Sequence, residues 1–321
     1  MTSRMKIAIL DDYQKVATTL ADWDPLDAEI AVFTEPFANA DEAVRSLAGF
    51  HVLVAMRERT RFPAEVLEQL PDLRLLVSTG EVNAAIDVAA AHRLGITVSG
   101  TRYESHPTAE HTWALILGTV RNLQAEADSM RRGGWQVSVA TGLHGKTLGV
   151  LGLGRLGSLV AQVGQAFGMT TIAWSQNLTQ SRAAEHGVRA VSKEQLFAES
   201  DVLSIHLVLS ERTHGLVGEA ELRSMKPTAI LVNTSRGPIV DERALVEVLR
   251  ERRIGGAAID VFETEPLPPE HPLRDLPNAL LTGHVAYVTQ ELYRTFYRDA
   301  VEDIAAFHAG SPVRLMQELM Q

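Results

Sequence analysis

Short apolar runs alternate with amphipathic stretches from the start of the chain, and this alternation constrains the fold more than any other feature of the sequence. Five strand-like runs lie at residues 6–10, 29–33, 51–55, 73–78 and 96–99. A helical or loop-like stretch separates each run from the next. Strands that alternate with helices predict a parallel sheet that is covered on both faces.

A second series of the same kind begins after residue 140. Its six predicted strands lie at residues 147–151, 170–174, 202–206, 229–233, 256–260 and 279–282, which is a doubly wound pattern. Between the two series, apolar residues at helical spacing predict one helix from Pro107 to about Met130, with Thr108 as its cap. The tail from Gln290 is predicted to be helical again.

Length and rhythm together predict two domains. The chain has 321 residues, and a single hydrophobic core stops growing at about 250–300 residues. The helices on either side of the second strand series indicate that the chain crosses between the domains twice. We therefore predict one domain made of residues 1–104 plus 290–321 and another made of residues 105–289.

Composition excludes several classes of function. Lys and Arg number 30 against 40 Asp and Glu, a net charge of -10, which argues against the basic face that binds nucleic acid. The absence of Cys excludes disulfides, thiolate metal sites and a cysteine nucleophile, and we predict no metal site. No signal peptide is recognisable, and no apolar run approaches the ~20 residues that span a bilayer. We expect a cytoplasmic protein with no membrane or nucleic-acid partner.

A glycine-rich turn joins the first strand of the second series to a helical stretch. Gly152 allows a tight turn, Gly154 allows a pyrophosphate to approach the backbone, and Gly157 allows the helix to pack closely on the strand. The N-terminus of the helix then offers N–H groups and positive potential to phosphates. Strand, turn and helix follow in the order that dinucleotide binding requires. The alternative is a plain turn between a strand and a helix.

The residue after the next strand indicates which dinucleotide is bound. NAD-binding domains usually place Asp or Glu there, about 20 residues after the fingerprint, to accept the ribose hydroxyls. This chain has Ser175, which is small and neutral, and Arg182 follows. The expectation is therefore NAD or NADP, with tolerance of NADP. The alternative is that Ser175 contacts nothing of importance.

Three later strands each end in polar residues. Arg236 follows the strand at 229–233, Glu265 follows that at 256–260, and His284 follows that at 279–282. Doubly wound folds build their sites at these carboxyl ends. Taken singly, the three residues have plainer explanations: an ion-paired Arg, a surface Glu beside Pro266 and a packed His.

In this order the segments resemble the D-isomer-specific 2-hydroxyacid dehydrogenase family, the relatives of phosphoglycerate dehydrogenase, glycerate dehydrogenase and glyoxylate reductase. The resemblance covers nearly the whole chain. It implies a Rossmann dinucleotide-binding domain inserted in a flavodoxin-like substrate domain. It also implies hydride transfer between a nicotinamide cofactor and a small D-2-hydroxy or 2-oxo acid.

The resemblance assigns roles that the chemistry also requires. Arg236 is expected to bind the substrate carboxylate and polarise its carbonyl, because a guanidinium is planar and always charged. His284 is expected to donate the proton in reduction and accept it in oxidation. Glu265 is expected to pair with His284 and orient its ring.

Further contacts are implied residue by residue. The dinucleotide is expected to meet Gly152, Gly154, Arg155, Leu156, Gly157, Ser175, Leu207, Thr234 and Asp260. In the other domain, the expected substrate contacts are Thr79, Gly80 and Glu81, through backbone N–H groups, and the side chain of Arg57. The alternative for Arg57 is a plain surface charge. A homodimer through the dinucleotide-binding domain is also implied, with Trp113 or Trp135 at the contact or in the core.

The sequence departs from the family pattern in two places near His284. Gly283 stands where the family usually has Pro, and Tyr287 stands where a small residue is common. We expect Gly283 to loosen the loop and Tyr287 to reshape the substrate pocket. The chain ends at Gln321, so no regulatory domain of the kind found in some phosphoglycerate dehydrogenases is expected.

Two other functions fit the same residues. The first is an NAD(H)-sensing interaction protein of the corepressor type, with little turnover, because the C-terminal binding protein branch keeps the Arg, Glu and His positions. The second is a formate dehydrogenase, which is less favoured because that branch has Gln where Glu265 stands.

Overall fold

The N-terminal residues form a five-stranded parallel sheet in this computed structural model, which describes residues 4–317. Its strands are β1 (Lys6–Ile9), β2 (Glu29–Val32), β3 (Val52–Ala55), β4 (Leu75–Ser78) and β5 (Thr97–Gly100). The helices between them are α1 (Ala17–Leu20), α2 (Ala40–Leu47), α3 (Ala64–Leu67) and α4 (Val88–Arg93). The strand order β2-β1-β3-β4-β5 is that of a flavodoxin-like sheet, which confirms the predicted class.

The middle of the chain begins with two helices and continues into a seven-stranded parallel sheet. The first two helices are α5 (His106–Val120) and α6 (Leu123–Arg131). The helices that connect the strands of the sheet are α7 (Arg155–Ala166), α8 (Gln180–Ala184), α9 (Lys193–Glu199), α10 (Glu219–Ser224) and α11 (Glu242–Arg250). The strands are β6 (Thr147–Leu151), β7 (Thr170–Trp174), β8 (Arg189–Ala190), β9 (Val202–Ile205), β10 (Ile230–Asn233), β11 (Gly256–Ile259) and β12 (Ala279–Leu281). Their order, β12-β11-β10-β9-β6-β7-β8, contains the Rossmann arrangement.

The chain then forms the long helix α12 (Gln290–His308) and returns to the first sheet. Met316 donates its backbone N–H to the Val98 carbonyl at 2.8 Å, so the tail lies along the edge strand β5. The chain divides into a first unit, Met1–Glu104 with Val288–Gln321, and a second unit, Ser105–Tyr287. The sequence prediction places the two boundaries at 104/105 and 289/290. The predicted outer limits, 1 and 321, lie outside the described residues.

Each sheet has buried side chains on both faces, as a parallel sheet requires. In the second unit, successive residues of β10 join different apolar clusters, since Leu231 packs in one and Val232 in the other. The first unit has its own core, which includes Leu53, Phe62 and Leu76. No helix among the described residues is long and apolar enough to cross a membrane.

The structure corrects the prediction for the helix after residue 105. A single helix to Met130 is wrong, because Asn122 adopts a left-handed conformation (φ 51°) and separates α5 from α6. The predicted cap is wrong as well, because the cap position is Ser105 and Thr108 lies inside the first turn. The two-residue strand β8 was not predicted, since so short a strand carries no periodic signal.

Candidate active site

The three catalytic candidates follow three adjacent strands of the second unit. Strands β10, β11 and β12 are neighbours in the sheet, and parallel strands end at the same edge. Arg236, Glu265 and His284 therefore lie in neighbouring loops. The structure brings together segments that are up to 48 residues apart in the sequence.

Glu265 and His284 form a close pair. The distance between Glu265 Oε2 and His284 Nδ1 is 2.6 Å. Because a carboxylate accepts, Nδ1 carries the proton of this hydrogen bond, and Nε2 is left as the ring nitrogen that can exchange a proton with a ligand. The other carboxylate oxygen, Oε1, accepts the backbone N–H of Phe262 at 2.9 Å. Both oxygens of Glu265 are thus held.

The loop that carries His284 is bound to the buried side chain of Asp260. His284 has a positive φ of 53°, which is uncommon for a residue with a side chain. The Asp260 carboxylate accepts the backbone N–H groups of Val285 at 2.9 Å and Ala286 at 3.0 Å, and the Thr282 hydroxyl at 2.5 Å. The residue is 0% exposed. These bonds hold the loop in the conformation that presents His284.

The charge of Asp260 is retained despite its burial. Burial raises its pKa, but hydrogen bonds from His111, Thr282 and Val285 favour the carboxylate, and the pKa is lowered overall. The ring of His111 lies 3.1 Å from Thr282 Oγ1 and 3.6 Å from Asp260 Oδ1. The sequence predicts Asp260 as a dinucleotide contact. In the structure, its carboxylate accepts hydrogen bonds from the His284 loop.

Arg236 is held by a network inside its own loop. The Asn233 side chain donates to the Arg236 carbonyl at 3.0 Å and accepts the Ser235 N–H at 3.0 Å. The Ser235 hydroxyl donates to the carbonyl of Leu207 at the end of β9. The loop after β10 is thus joined to the loop after β9, and the position of Arg236 is set by backbone contacts.

Gly237 allows this loop to touch the Glu265 loop. A Cβ added at Gly237 would lie 2.0 Å from the carbonyl carbon of Phe262 and 2.6 Å from the nitrogen of Glu263. Only a residue without a side chain permits this approach of the two backbones. Gly237, which follows Arg236, therefore lies beside the peptide that joins Phe262 to Glu263. The N–H of Phe262 is the group that binds Glu265 Oε1.

The two departures from the family pattern have different surroundings. The ring of Tyr287 is buried and meets the His284 imidazole edge to face, with the centroids 5.7 Å apart. Tyr287 therefore restrains the His284 ring. At Gly283 an added Cβ would meet nothing within 4 Å.

The glycine turn after β6 has the geometry that a dinucleotide needs. Gly152 has a φ of 100°, and a Cβ there would lie 2.7 Å from the His206 carbonyl oxygen. A Cβ at Gly157 would lie 2.0 Å from the Gly152 oxygen, so α7 packs directly on the turn. Gly154 precedes α7, and a Cβ there would meet nothing within 4 Å. Open space in front of a helix N-terminus is suited to a pyrophosphate, so these residues fit the cofactor. Arg155 and Leu156 begin this helix.

The other predicted dinucleotide contacts lie around the same sheet edge. Ser175 follows β7, is half-buried, and accepts the Leu178 N–H on its carbonyl at 3.0 Å. Thr234 is buried, with its hydroxyl 2.8 Å from that of Thr112. Leu207 packs partly buried against the core. Burial lowers the pKa of the adjoining His206 to about 3, so this imidazole beside the glycine turn is neutral.

The predicted substrate contacts of the first unit lie together at the ends of β3 and β4. The Arg57 side chain is 13% exposed, and its Nη1 donates to the Thr79 carbonyl at 3.0 Å. The Thr79 N–H is bonded to Ala55 at 2.9 Å, and the Gly80 N–H to Thr101 Oγ1 at 2.7 Å. These two N–H groups, which were predicted to bind substrate, are therefore used inside the unit in this conformation. Glu81 follows them in the same turn.

Sequence reasoning missed several residues that support the site. The role of Gly237 depends on a contact with Phe262, 25 residues away, and its local sequence does not signal it. Thr282 and His111 support Asp260, and nothing in their local sequence signals it. Tyr103 stacks against Arg57 from outside every motif. All four act through contacts between segments that are distant in the sequence.

Comparisons with known proteins agree with this geometry. The family model described as "D-isomer specific 2-hydroxyacid dehydrogenase, NAD binding domain" matches residues 113–286. The glyoxylate reductase of Aeropyrum pernix is 46% identical over 261 residues, which is 78% of each chain. The crystal structure of a phosphoglycerate oxidoreductase from Vibrio cholerae superposes with a TM-score of 0.91 at 37% identity, covering 95% of this chain and 99% of the other. The D-lactate dehydrogenase of Aquifex aeolicus, solved with NAD and lactic acid, has a TM-score of 0.79 at 26% identity and covers 95% and 96%.

Proposed function

The chain belongs to the D-isomer-specific 2-hydroxyacid dehydrogenase family and is an NAD(P)-dependent oxidoreductase of 2-hydroxy acids, and from this premise we propose that Arg236, Glu265 and His284 carry its chemistry. The observation that carries the proposal is the 2.6 Å hydrogen bond between Glu265 and His284, beside the loop of Arg236. The corepressor-type alternative is not favoured, because the curated relatives are named as reductases and dehydrogenases.

Reduction of a 2-oxo acid requires a hydride at C2, a proton on the carbonyl oxygen and a positive charge for the carboxylate. When bound, the nicotinamide dinucleotide supplies the hydride. Arg236 binds the carboxylate and polarises the carbonyl. His284 donates a proton from Nε2 to the carbonyl oxygen, so that hydride and proton together convert C=O to CH–OH. Glu265 acts through His284, because it holds Nδ1 and leaves Nε2 for proton exchange.

The proposed substrate is a small 2-oxo acid, with glyoxylate among the candidates. Two relatives, at 46% and 38% identity, are named as glyoxylate reductases. The buried Tyr287 ring against His284 supports a small substrate, because a phenol occupies volume where the family commonly has a small side chain. In the first unit, we assign the substrate contact to the Arg57 side chain and to Glu81 in the turn after β4, rather than to the N–H groups of Thr79 and Gly80.

The proposed cofactor preference includes NADP. No carboxylate follows β7, where Ser175, Gln176 and Asn177 stand. A carboxylate at this place accepts the ribose hydroxyls of NAD and repels a 2′-phosphate. A neutral Ser175 removes that repulsion, and Arg182 lies nearby in the sequence.

The test is a set of initial rates of NADH and NADPH oxidation with glyoxylate, hydroxypyruvate and pyruvate. We expect Arg236→Ala to raise KM and lower kcat, reducing kcat/KM by at least about 10²-fold, because a bound carboxylate loses its partner. We expect His284→Ala chiefly to lower kcat, by about 10²–10⁴-fold.

The matched controls replace the same residue types at exposed positions of the same unit. These are Arg243→Ala on α11, whose side chain is 90% exposed, and His186→Ala in an exposed turn. Both are expected to keep wild-type rates. Near-normal rates in Arg236→Ala and His284→Ala would remove the catalytic assignment. Loss of activity in both variants, with NADH binding retained, would support it.

We also propose a homodimer through the second unit. Its apolar segment, defined as Leu123, Met130, Trp135, Val137 and Val139, is exposed, with Trp135 at 71% and Val139 at 99%. Residues 135–138 lie along α6, because Glu126 accepts the Val137 N–H and the Ser138 hydroxyl. Apolar groups of this size that are exposed together favour a partner, and a two-fold copy is the commonest. Trp113, by contrast, is buried and stacks on Phe167 at 5.0 Å.

Light scattering after gel filtration tests the dimer. The wild type is expected at twice the chain mass of 35.1 kDa, and Val139→Lys combined with Trp135→Lys at one chain mass. Leu94→Lys, at an exposed apolar position of the first unit, is the control and is expected to stay dimeric. A monomeric wild type would contradict the proposal.

The proposed location is the cytoplasm, which fractionation of cells that express a tagged chain would check.

A further inference from the structure

The guanidinium of Arg57 is held in one place by the Thr79 carbonyl, the Glu58 carboxylate and the Tyr103 ring. The backbone of Arg57 has a φ of 51°, and its N–H donates to Thr79 Oγ1 at 2.9 Å. Its Nη1 donates to the Thr79 carbonyl at 3.0 Å. The guanidinium carbon lies 5.2 Å from the centre of the Tyr103 ring, within the range of a cation–π interaction. Its Nη2 lies 3.5 Å from Glu58 Oε1. A guanidinium has five N–H donors, so further donors remain for an anion.

Tyr103 is itself supported from behind by α12. Its ring stacks on that of Phe296, with the centroids 6.4 Å apart and the planes at 20°. Phe296 is 0% exposed. The Tyr103 ring therefore has Arg57 as one neighbour and a buried, immobile ring as another.

The backbone before Tyr103 is fixed to the same helix. The buried carboxylate of Asp299 accepts the Arg102 backbone N–H at 2.9 Å and its side-chain Nε and Nη2 at 3.0 and 2.5 Å. Phe296 and Asp299 are three residues apart, so they share one face of α12. One helix face thus holds both the backbone of Arg102 and the ring of Tyr103.

We propose that Tyr103 is a positioning residue that holds the Arg57 guanidinium for the 2-oxo acid. The inference rests on the proposed role of Arg57 in substrate binding. An arginine side chain has many rotamers, and each one that is excluded before binding reduces the entropy lost on binding. The ring face of Tyr103 excludes rotamers by its shape and attracts the cation by its quadrupole. Both effects come from the ring, so a phenylalanine is expected to serve equally well.

The test compares steady-state constants of four single variants, and of Tyr103→Leu combined with Arg57→Met, with glyoxylate and a saturating dinucleotide; all are full-length. Tyr103→Leu removes the ring, Tyr103→Phe keeps it, and Arg57→Met removes the cation. Tyr13→Leu is the matched control, because Tyr13 stacks under a different guanidinium, that of Arg59, at 4.3 Å in the same unit. Thermal unfolding of each variant shows whether it is folded at the assay temperature.

Tyr103→Leu is expected to raise KM about 3- to 30-fold, the range of one cation–π contact, with kcat within twofold. Tyr103→Phe and Tyr13→Leu are expected to keep the wild-type KM. In the Arg57→Met background, Tyr103→Leu is expected to have no further effect, because the group that it positions is gone.

Three results would overturn the inference, and each has a different cause. If Arg57→Met raises KM but Tyr103→Leu does not, Arg57 binds substrate without help from Tyr103. If Arg57→Met leaves KM unchanged, the proposed role of Arg57 fails, and the inference fails with it. A KM that rises in Tyr103→Leu and rises equally in the Arg57→Met background would assign the effect to folding of the unit and would also overturn the inference.

Discussion

Substitution of Gly237 by Ala tests whether the contact between two loops sets the geometry of the proposed catalytic residues. In the wild type, the loop of Arg236 touches the peptide that joins Phe262 to Glu263. The added methyl carbon would lie 2.0 Å from the Phe262 carbonyl carbon, whereas ordinary contact begins at 3.4 Å. The two loops must therefore separate by about 1.4 Å. The backbone of Gly237 is outside the positive-φ region, so the effect is one of space alone.

This separation acts on both halves of the site. In one loop, Gly237 is the neighbour of Arg236. In the other loop, the Phe262 N–H binds Glu265, which in turn holds His284. A displacement of ~1 Å in a catalytic geometry costs roughly 10²-fold in rate. We therefore expect kcat/KM for glyoxylate to fall about 10²-fold, equivalent to ~2.7 kcal/mol of transition-state stabilisation. The overpacking should also reduce the free energy of unfolding by about 1–3 kcal/mol.

The assay combines steady-state kinetics with denaturant unfolding and NADH binding. Gly142→Ala is the control, because a Cβ there meets nothing within 4 Å and its backbone is also outside the positive-φ region. It is expected to keep wild-type activity. NADH affinity in Gly237→Ala should stay close to that of the wild type, since the glycine turn is untouched. A folded Gly237→Ala enzyme with kcat/KM within threefold of the wild type would refute the reasoning.

Three other changes have directions that the structure specifies. Ser175→Asp supplies the carboxylate that favours NAD, so the ratio of kcat/KM for NADPH to that for NADH is expected to fall at least about tenfold; an unchanged ratio would mean that Ser175 does not meet the ribose. Burial of Asp303 raises its pKa to about 7, above the ordinary 3.8. Between pH 3.8 and pH 7, the folded state therefore binds a proton that the unfolded state does not. The contribution of Asp303 to stability grows as the pH falls from 8 to 5 and is lost as the pH rises through 7. Asp303→Asn should therefore reduce the difference in unfolding free energy between pH 8 and pH 5 by about 1–3 kcal/mol, and identical pH profiles of variant and wild type would contradict this. Gly283→Ala should stabilise the fold by about 0.4–1 kcal/mol in denaturant unfolding, because Ala restricts the unfolded chain and meets nothing in the folded one; a loss of stability would show strain at this position.

Much of the architecture could be predicted because it is encoded locally. Each long strand is a continuous apolar run that parallel sheets bury on both faces, and its limits were predicted to within one or two residues. Two local features were missed for opposite reasons. Strand β8 is too short to carry a period, and the break at Asn122 interrupts an apolar pattern that continues in phase on both sides.

The three candidate catalytic residues could be proposed because each follows a strand, and the carboxyl ends of parallel strands share one edge of a sheet. Their positions along that edge depend on strand order. The sequence does not state that β10, β11 and β12 are neighbours, and that order brings Gly237 against Phe262 and Asp260 against the His284 loop. The same holds in the first unit, where Arg57 meets Tyr103 and Tyr103 meets Phe296 of α12.

The sequence by itself determined the two α/β sheets, the glycine turn and the kinds of side chain at the strand ends, because periodicity, φ preference and residue chemistry are properties of short segments. Only the tertiary structure decided how those side chains are held. It directs the Asp260 carboxylate to the His284 loop, pairs the Thr79 and Gly80 N–H groups internally, and makes Gly237 a site of close approach. Each of these depends on atoms from segments 20 or more residues apart, whose meeting is set by strand order and packing.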